Sequence, residues 1–370
     1  MGDWEPPKEN SLEALNHGMS FADGVEFDLR MDSDGELVIY HDEFVPGKGK
    51  LTERLIELLG TDELRKEGIV TLEDLFGNSD FSSNWQSGGK TVDIEIKEPH
   101  PKTKIRSVDH FASMMSKLDM MVEDLDVPDK SVIVSSFSPK IIPVAKSSGF
   151  KVPVTRLMPH IRSWGRFWRV KRAVAMPHFA RTSVPKIANH LRNNQVPVMG
   201  MALEYIYGWP RWIGPSLPVG IQGRGLERFS KIRRGMGAFV WPAPLKAEKL
   251  LLGAGVSLVS DHMDPTVKVR PDGSPRWPRP ASQPLDAEWT ERLNSASPDE
   301  IGDTLNEAES SLPSWGEIEE ERRFDIVVEQ GKRFLWAGKE EDWKTDSRNG
   351  IPWGSPRIIG HRGAGGTHSS

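Results

Sequence analysis

The sequence predicts a parallel α/β protein that closes as a (β/α)8 barrel. Short β-branched or apolar runs alternate with stretches of helical period, as crossover connections between parallel strands require. About eight such runs recur, enough to close a barrel. Polar groups gather at the ends of several runs, and in a closed barrel those ends share one face.

The elements follow in order. A helix over Ser11 to Met19 starts after a cap at Asn10 or Ser11. Gly24 to Leu29 and Leu37 to Tyr40 read as strands. Thr91 to Ile96 alternates apolar Val92, Ile94 and Ile96 with charged neighbours. The helix Ile105 to Leu125 repeats Phe111, Met114, Met115 and Leu118 at helical spacing. Ser131 to Ser135 is a strand, Ser138 to Ser147 a helix, and Lys151 to Thr155 the next strand. Two runs, Ala173 to Met176 and Val196 to Met201, compete for the sixth barrel position. Gly237 to Trp241 is a strand, Leu245 to Ala254 a helix, Val256 to Val259 a strand, and Arg357 to Gly360 the last strand.

The Pro- and Gly-rich stretch Asp264 to Pro284 reads as a linker. Leu285 to Trp343 is acidic with a helical pattern, and Glu317 to Trp336 suits an outer barrel helix. The expected organisation is barrel strands two to eight in 1–265, a linker in 266–284, a helical extension in 285–346, and barrel strand one in 347–370.

Composition narrows the function. The net charge of −5 argues against nucleic acid as a partner. With no cysteine, disulfides and thiolate metal sites are excluded, so a metal must be held by oxygen or imidazole. No basic-then-apolar leader is visible, and no apolar run approaches the roughly 20 residues of a spanning helix. An intracellular, cytoplasmic protein is the expectation. The 13 tryptophans far outnumber the 3 tyrosines and cluster with arginine, above all in residues 156–172. That stretch either lies on an anionic lipid surface or is an outer helix with core aromatics and solvated arginines; the second is the plainer reading.

The chemistry sits at strand ends. Glu26 and Asp28 lie two apart and face one way, which on a solvated strand means nothing. Facing inward they repel each other unless a hard divalent cation, Mg²⁺ or Ca²⁺, sits between them. His41-Asp42 follows the next strand. Asp93, Glu95 and Lys97 share a face of their strand; buried, those charges need partners. His361-Arg362-Gly363 ends the last strand. The imidazole suits proton transfer near neutral pH, and the guanidinium can fork onto a phosphate.

Read tail first, then head, these pieces resemble the glycerophosphodiester phosphodiesterase family. Its pattern is an apolar strand ending in His-Arg-Gly, a Pro-Glu-Asn-Thr-like turn, Glu-x-Asp, His-Asp and Glu-x-Lys. Here it appears as His361-Arg362-Gly363, then Pro7-Lys8-Glu9-Asn10-Ser11, Glu26-Phe27-Asp28, His41-Asp42 and Glu95-Ile96-Lys97. Weaker echoes are Ser135-Ser136-Phe137, Val240-Trp241 and the closing strand Gly255 to Asp261. Lys8 is an insertion, and Pro242 stands where the family has Thr. The resemblance implies a TIM-type barrel that is circularly permuted and a metal-dependent phosphodiesterase. It implies His361 and His41 as the acid/base pair, and Arg362 and Lys97 on the phosphate. Glu26, Asp28 and Glu95 would hold the metal, and Trp241 would pack on a small phosphodiester. Glu9 would touch the metal or orient Arg362, with helix capping by its neighbours as the plain alternative. A lysophospholipase D-like activity and a catalytically inactive phosphodiester-binding barrel are the competing readings.

Overall fold

Eight parallel strands wrap around a core whose lower half is apolar and whose upper half is charged. The computed structural model describes residues 4–46, 54–158, 183–212, 217–346 and 350–366, with the single positions 170, 173 and 177. The strands are β1 (Gly24–Met31), β2 (Leu37–Ile39), β3 (Val70–Thr71), β4 (Thr91–Ile96), β5 (Val132–Ser136), β6 (Val154–Arg156), β7 (Val198–Ala202), β8 (Gly237–Trp241), β9 (Ser257–Ser260) and β10 (Ile358–Gly360). Around the barrel the order is β6-β5-β4-β1-β10-β9-β8-β7. Closure between β6 and β7 comes from Thr155 Oγ1–H donating to Val198 O at 2.7 Å and Met158 N–H to Gly200 O at 3.0 Å.

The C-terminal strand β10 lies between β9 and β1. Ile358, Ile359 and Gly360 pair with Leu258, Val259 and Ser260, and Val25 pairs with Gly360. The sixth barrel strand is the Val196 to Met201 run. Its rival Ala173 to Met176 lies, but for position 173, outside the described residues, as does most of the Trp/Arg stretch 156–172.

Leu37 to Tyr40 forms a strand but not a barrel strand. It returns antiparallel on β1, with Leu29 opposite Ile39 and Met31 opposite Leu37, and then pairs with β3. The cause is the intervening turn. Asp32 Oδ1 accepts the N–H groups of Asp34 and Glu36 at 2.9 and 2.8 Å, and Gly35 takes φ +82°. A turn this short makes a hairpin, whereas a parallel neighbour needs a long crossover.

Period-two alternation sets the barrel's interior. Ile133, Val198, Phe239 and Ile359 point inward low in the barrel and pack on Trp353, which plugs its N-terminal end. Arg357 holds that plug by donating to the carbonyls of Ile351, Pro352 and Ser355. Outside, Phe111, Met114, Met115 and Leu118 of helix Ser107–Leu125 are fully buried against the strands. The Pro-rich stretch packs closely too: Arg276 is buried, with Nε 3.0 Å from Glu248 Oε2. Helices Ala287–Ser295 and Ile301–Ser311 share an apolar cluster with Trp277, while helix Glu320–Arg333 packs through Val327 against Trp315 and Ile351. No helix among the described residues is long and apolar enough to cross a membrane.

Candidate active site

Above the apolar plug, β1 and β4 each turn two acidic residues inward. The strands run in register, with Glu26 opposite Asp93 and Asp28 opposite Glu95, so four carboxylates stack in the barrel mouth. All four are buried. Lys97, one residue past β4, reaches back with Nζ 2.6 Å from Asp28 Oδ1 and also pairs with Glu95.

The two chain ends meet here. Arg362 follows β10 with φ +51°, which turns its N–H toward Glu26 Oε2 at 2.9 Å. Its Nη1 lies 2.7 Å from Glu9 Oε1 and its Nε 3.3 Å from Asp28 Oδ2. Glu9 therefore orients the guanidinium, while Ser11 caps the first helix by accepting Ala14 N–H. Asn10, also left-handed at φ +58°, donates from Nδ2 to Asp28 Oδ2 at 2.9 Å and gives its backbone N–H to Arg362 O at 3.1 Å.

His361 stands beside this cluster. Its Nδ1 lies 2.6 Å from Asp261 Oδ1, and its Nε2 lies 3.9 Å from Glu26 Oε2. Burial alone would raise Asp261, but hydrogen bonds and charge from His361, with Gly366 N–H, hold its carboxyl at about 2. An ionised carboxylate only accepts, so Nδ1 carries the proton and Nε2 faces the mouth. The Trp241 ring packs against the imidazole at 5.3 Å between centroids. His41 comes from the hairpin. Tyr40 N–H bonds Asp28 O at 3.0 Å, Arg30 clamps His41 O, and His41 Nδ1 lies 2.7 Å from Asp42 Oδ1. Burial lowers the His41 imidazole below its ordinary range, with Lys97 and Arg362 adding to the effect against Asp28.

The electrostatics are unbalanced toward negative charge. Burial, then Asp28, Glu95 and Asp93, push Glu26 well above the carboxylate range. Burial opposes ionisation of Asp28 as well, yet Lys97, His41 and Arg362 outweigh it and hold that carboxyl far below its ordinary value. Burial pushes Asp93 up to about 7 even though Ser135 Oγ–H donates to it at 2.7 Å. Glu26, Asp28 and Glu95 each offer an oxygen, all within 4.8 Å of one another. Three hard oxygens around an uncompensated buried charge suit a divalent cation, and the triad can hold a metal ion.

All nine residues singled out from the sequence thus stand at one end of one barrel. Asn10 and Asp261 belong with them and were given no such role. Asn10 read only as a helix cap, and Asp261 only as the end of a strand pattern. The signal for both lay in the quoted motifs, but their partners are far away in sequence.

The chain is similar to known proteins. Residues 2–175 match the family model described as Glycerophosphoryl diester phosphodiesterase family. A curated glycerophosphodiester phosphodiesterase of Caldanaerobacter subterraneus subsp. tengcongensis is 28% identical over 153 residues, 37% of this chain and 56% of that protein. The chain thus spans a little over half the length of this curated relative. Among solved structures, a glycerophosphodiester phosphodiesterase from Thermotoga maritima is 18% identical, with 70% of this chain and 91% of that one covered and a TM-score of 0.44. An Oleispira antarctica phosphodiesterase, solved with the product sn-glycerol-3-phosphate, is 17% identical, with 69% and 88% covered and a TM-score of 0.44. Residues 2–175, which carry the acidic cradle and His41, are thus similar to the glycerophosphoryl diester phosphodiesterase family.

Proposed function

We propose that this chain hydrolyses glycerophosphodiesters to glycerol phosphate and an alcohol, with Mg²⁺ or Ca²⁺ held by Glu26, Asp28 and Glu95. The observation that carries the reading is convergence: three carboxylates, two imidazoles, a guanidinium and an ammonium meet at the C-terminal mouth of one barrel. The cation, when bound, supplies Lewis-acid polarisation of a phosphate oxygen. Arg362, braced by Glu9 and Asp28, presents its fork to the phosphate, and Lys97 adds a point charge. Together they spread the charge that grows on the phosphate oxygens.

His361 and His41 act as the acid/base pair. One imidazole takes a proton from the attacking oxygen, and the other gives one to the departing alkoxide as its bond to phosphorus breaks. Asp261 fixes the tautomer of His361, and Trp241 walls the same side of the mouth. The proposal includes a permuted barrel. The position of β10 between β9 and β1 supports it, since that strand delivers the His-Arg-Gly piece to its place ahead of the Glu-x-Asp strand.

The test is hydrolysis of glycerophosphocholine with and without EDTA, for the wild type, His361→Ala and His41→Ala. Chelation should abolish turnover, with Mg²⁺ or Ca²⁺ restoring it. Each substitution should lower kcat about 10²–10⁴-fold. Full activity in EDTA and in both variants would overturn the reading.

A further inference from the structure

The two imidazoles at the mouth are held in different ways. His361 has Asp261 on its ring at 2.6 Å and the Trp241 ring beside it. The His41 ring, among the described residues, hydrogen-bonds only its neighbour Asp42, a side chain that is itself 54% exposed. Its place is therefore set by its backbone, and Arg30 grips that backbone. Arg30 is the next inward position of β1 after Asp28. Its Nη2 and Nε donate to His41 O at 3.0 and 3.3 Å, a fork on one carbonyl. Its Nη1 donates to Glu57 Oε1 at 3.2 Å and to Glu98 O at 3.4 Å. All three nitrogens act within the protein, and the residue is buried, so the guanidinium does not face the substrate.

Glu57 makes this grip possible. It lies on the short 3₁₀ turn Ile56–Leu58 with its side chain 1% exposed. Ile56 belongs to a small apolar cluster with Val38, Val45, Leu64 and Ile69, and Val38 stands opposite Arg30 on β2. A guanidinium buried there without a counter-charge would be costly. Glu57 Oε2 has no hydrogen-bond partner among the described residues, so this carboxylate serves Arg30 alone. The same turn ties the loop just past His41, since Ile56 N–H donates to Glu43 O at 3.3 Å. A buried ion pair adds little net stability, because desolvation of both charges offsets their attraction, and apolar side chains of similar size often hold a fold as well. Stability does not account for this pair. A fork on His41 O does require a guanidinium, which lysine cannot replace.

We propose that Arg30, neutralised by Glu57, is a positioning residue that holds the His41 segment and so aims its imidazole into the mouth. The part that His41 plays in proton transfer rests on the phosphodiesterase reading above; the hold on the segment does not.

The test compares the whole chain with Arg30→Lys, which keeps the charge pair without the fork, and with Arg30→Met/Glu57→Leu, which replaces the pair by apolar side chains. Each is made alone and in the His41→Ala background. Glycerophosphocholine turnover, the urea midpoint and amide hydrogen exchange over residues 40–45 are measured for all. Both variants should keep the urea midpoint of the wild type and exchange faster over 40–45. Both should lower kcat about tenfold or more, with KM changed less than about twofold. In the His41→Ala background the same changes should cost less than about twofold further, because Arg30 acts through His41. Unchanged kcat and exchange, an equal loss without the His41 imidazole, or a loss that follows a lowered urea midpoint would overturn the proposal. A wild type that does not hydrolyse the diester, or full activity in His41→Ala, would overturn the reading of His41 in the reaction instead. Exchange over 40–45 would then decide the hold on the segment, which falls if the variants exchange like the wild type.

Discussion

In the proposed reaction, Asp261 acts through His361. The 2.6 Å contact fixes which imidazole nitrogen faces the mouth, and the ionised carboxylate stabilises the imidazolium that forms when Nε2 takes a proton. Asp261→Asn keeps the shape but allows the wrong tautomer. On the proposed reaction, kcat for glycerophosphocholine should fall about 10²-fold or more, with KM nearly unchanged. Equal loss in KM would instead mark Asp261 as a substrate ligand. A second residue, His110, makes a prediction about stability. It is 2% exposed on helix Ser107–Leu125, and neither ring nitrogen has a hydrogen-bond partner among the described residues. Burial, with the charge of Arg30, lowers it from 6.5 to about 4. The unfolded chain binds that proton near 6.5 and the folded chain does not until about 4. The neutral ring therefore contributes fully above pH 6.5, and its contribution is lost as pH falls through that window, by about 3 kcal/mol in all. Urea denaturation at pH 7 and pH 4.5 should show this fall in the wild type and a clearly smaller one in His110→Leu.

At the scale of elements, the strands and helices were legible because burial imposes its period on the chain. Thr91 to Ile96 alternates since one face meets helices and the other lines the barrel. The charged positions Asp93, Glu95 and Lys97 broke the rule of apolar interiors, and that break marked the site. The Leu37 strand was legible as a strand and not as a hairpin, because its direction depends on the turn that Asp32 ties. What joins elements was not legible at all. Asp23, just before β1, is fully buried. Its Oδ1 accepts the N–H groups of Ala281 and Ser282 at 3.1 and 2.7 Å, and its Oδ2 accepts Ile358 N–H at 2.9 Å. One carboxylate thus fastens the Pro-rich segment and the last strand to the first, across a sequence separation of 335 residues in the case of Ile358. No local pattern announces such a contact. Asp23→Ala leaves three buried donors unpaired and should cost about 3 kcal/mol or more, read as a lowered urea midpoint with an unchanged m-value. A loss under about 0.5 kcal/mol, as for ordinary surface substitutions, would show that the segment is held by other contacts.

For the molecule as a whole, the site depends on strand neighbours and not on their order along the chain. His361 and Arg362 were readable as site residues because a short apolar strand delivers them, and Glu26 and Asp28 because a strand aims both inward. That the two pairs meet required the barrel to close. The ends that meet are themselves close: Arg362 O accepts Asn10 N–H at 3.1 Å, and Asp261 Oδ1 accepts Gly366 N–H at 2.9 Å beside them. A rearranged chain follows, in which residues 350–366 are joined ahead of residue 4 and the chain stops at 346. Residues 4–8 then form the connection, and at about 3.3 Å per residue they span some 16 Å, ample for neighbouring ends. Every strand pair survives, the Arg357 plug travels intact with β10, and the connection through residues 4–8 takes over from the one through 347–349. Because closure entropy varies only with the logarithm of loop length, the thermal midpoint should move by only a few degrees. Hydrolysis of glycerophosphocholine should persist, with EDTA still abolishing it. A rearranged chain that fails to fold would show that β10 docks only when drawn in by the helical region before it, and the permuted reading of the barrel would fall.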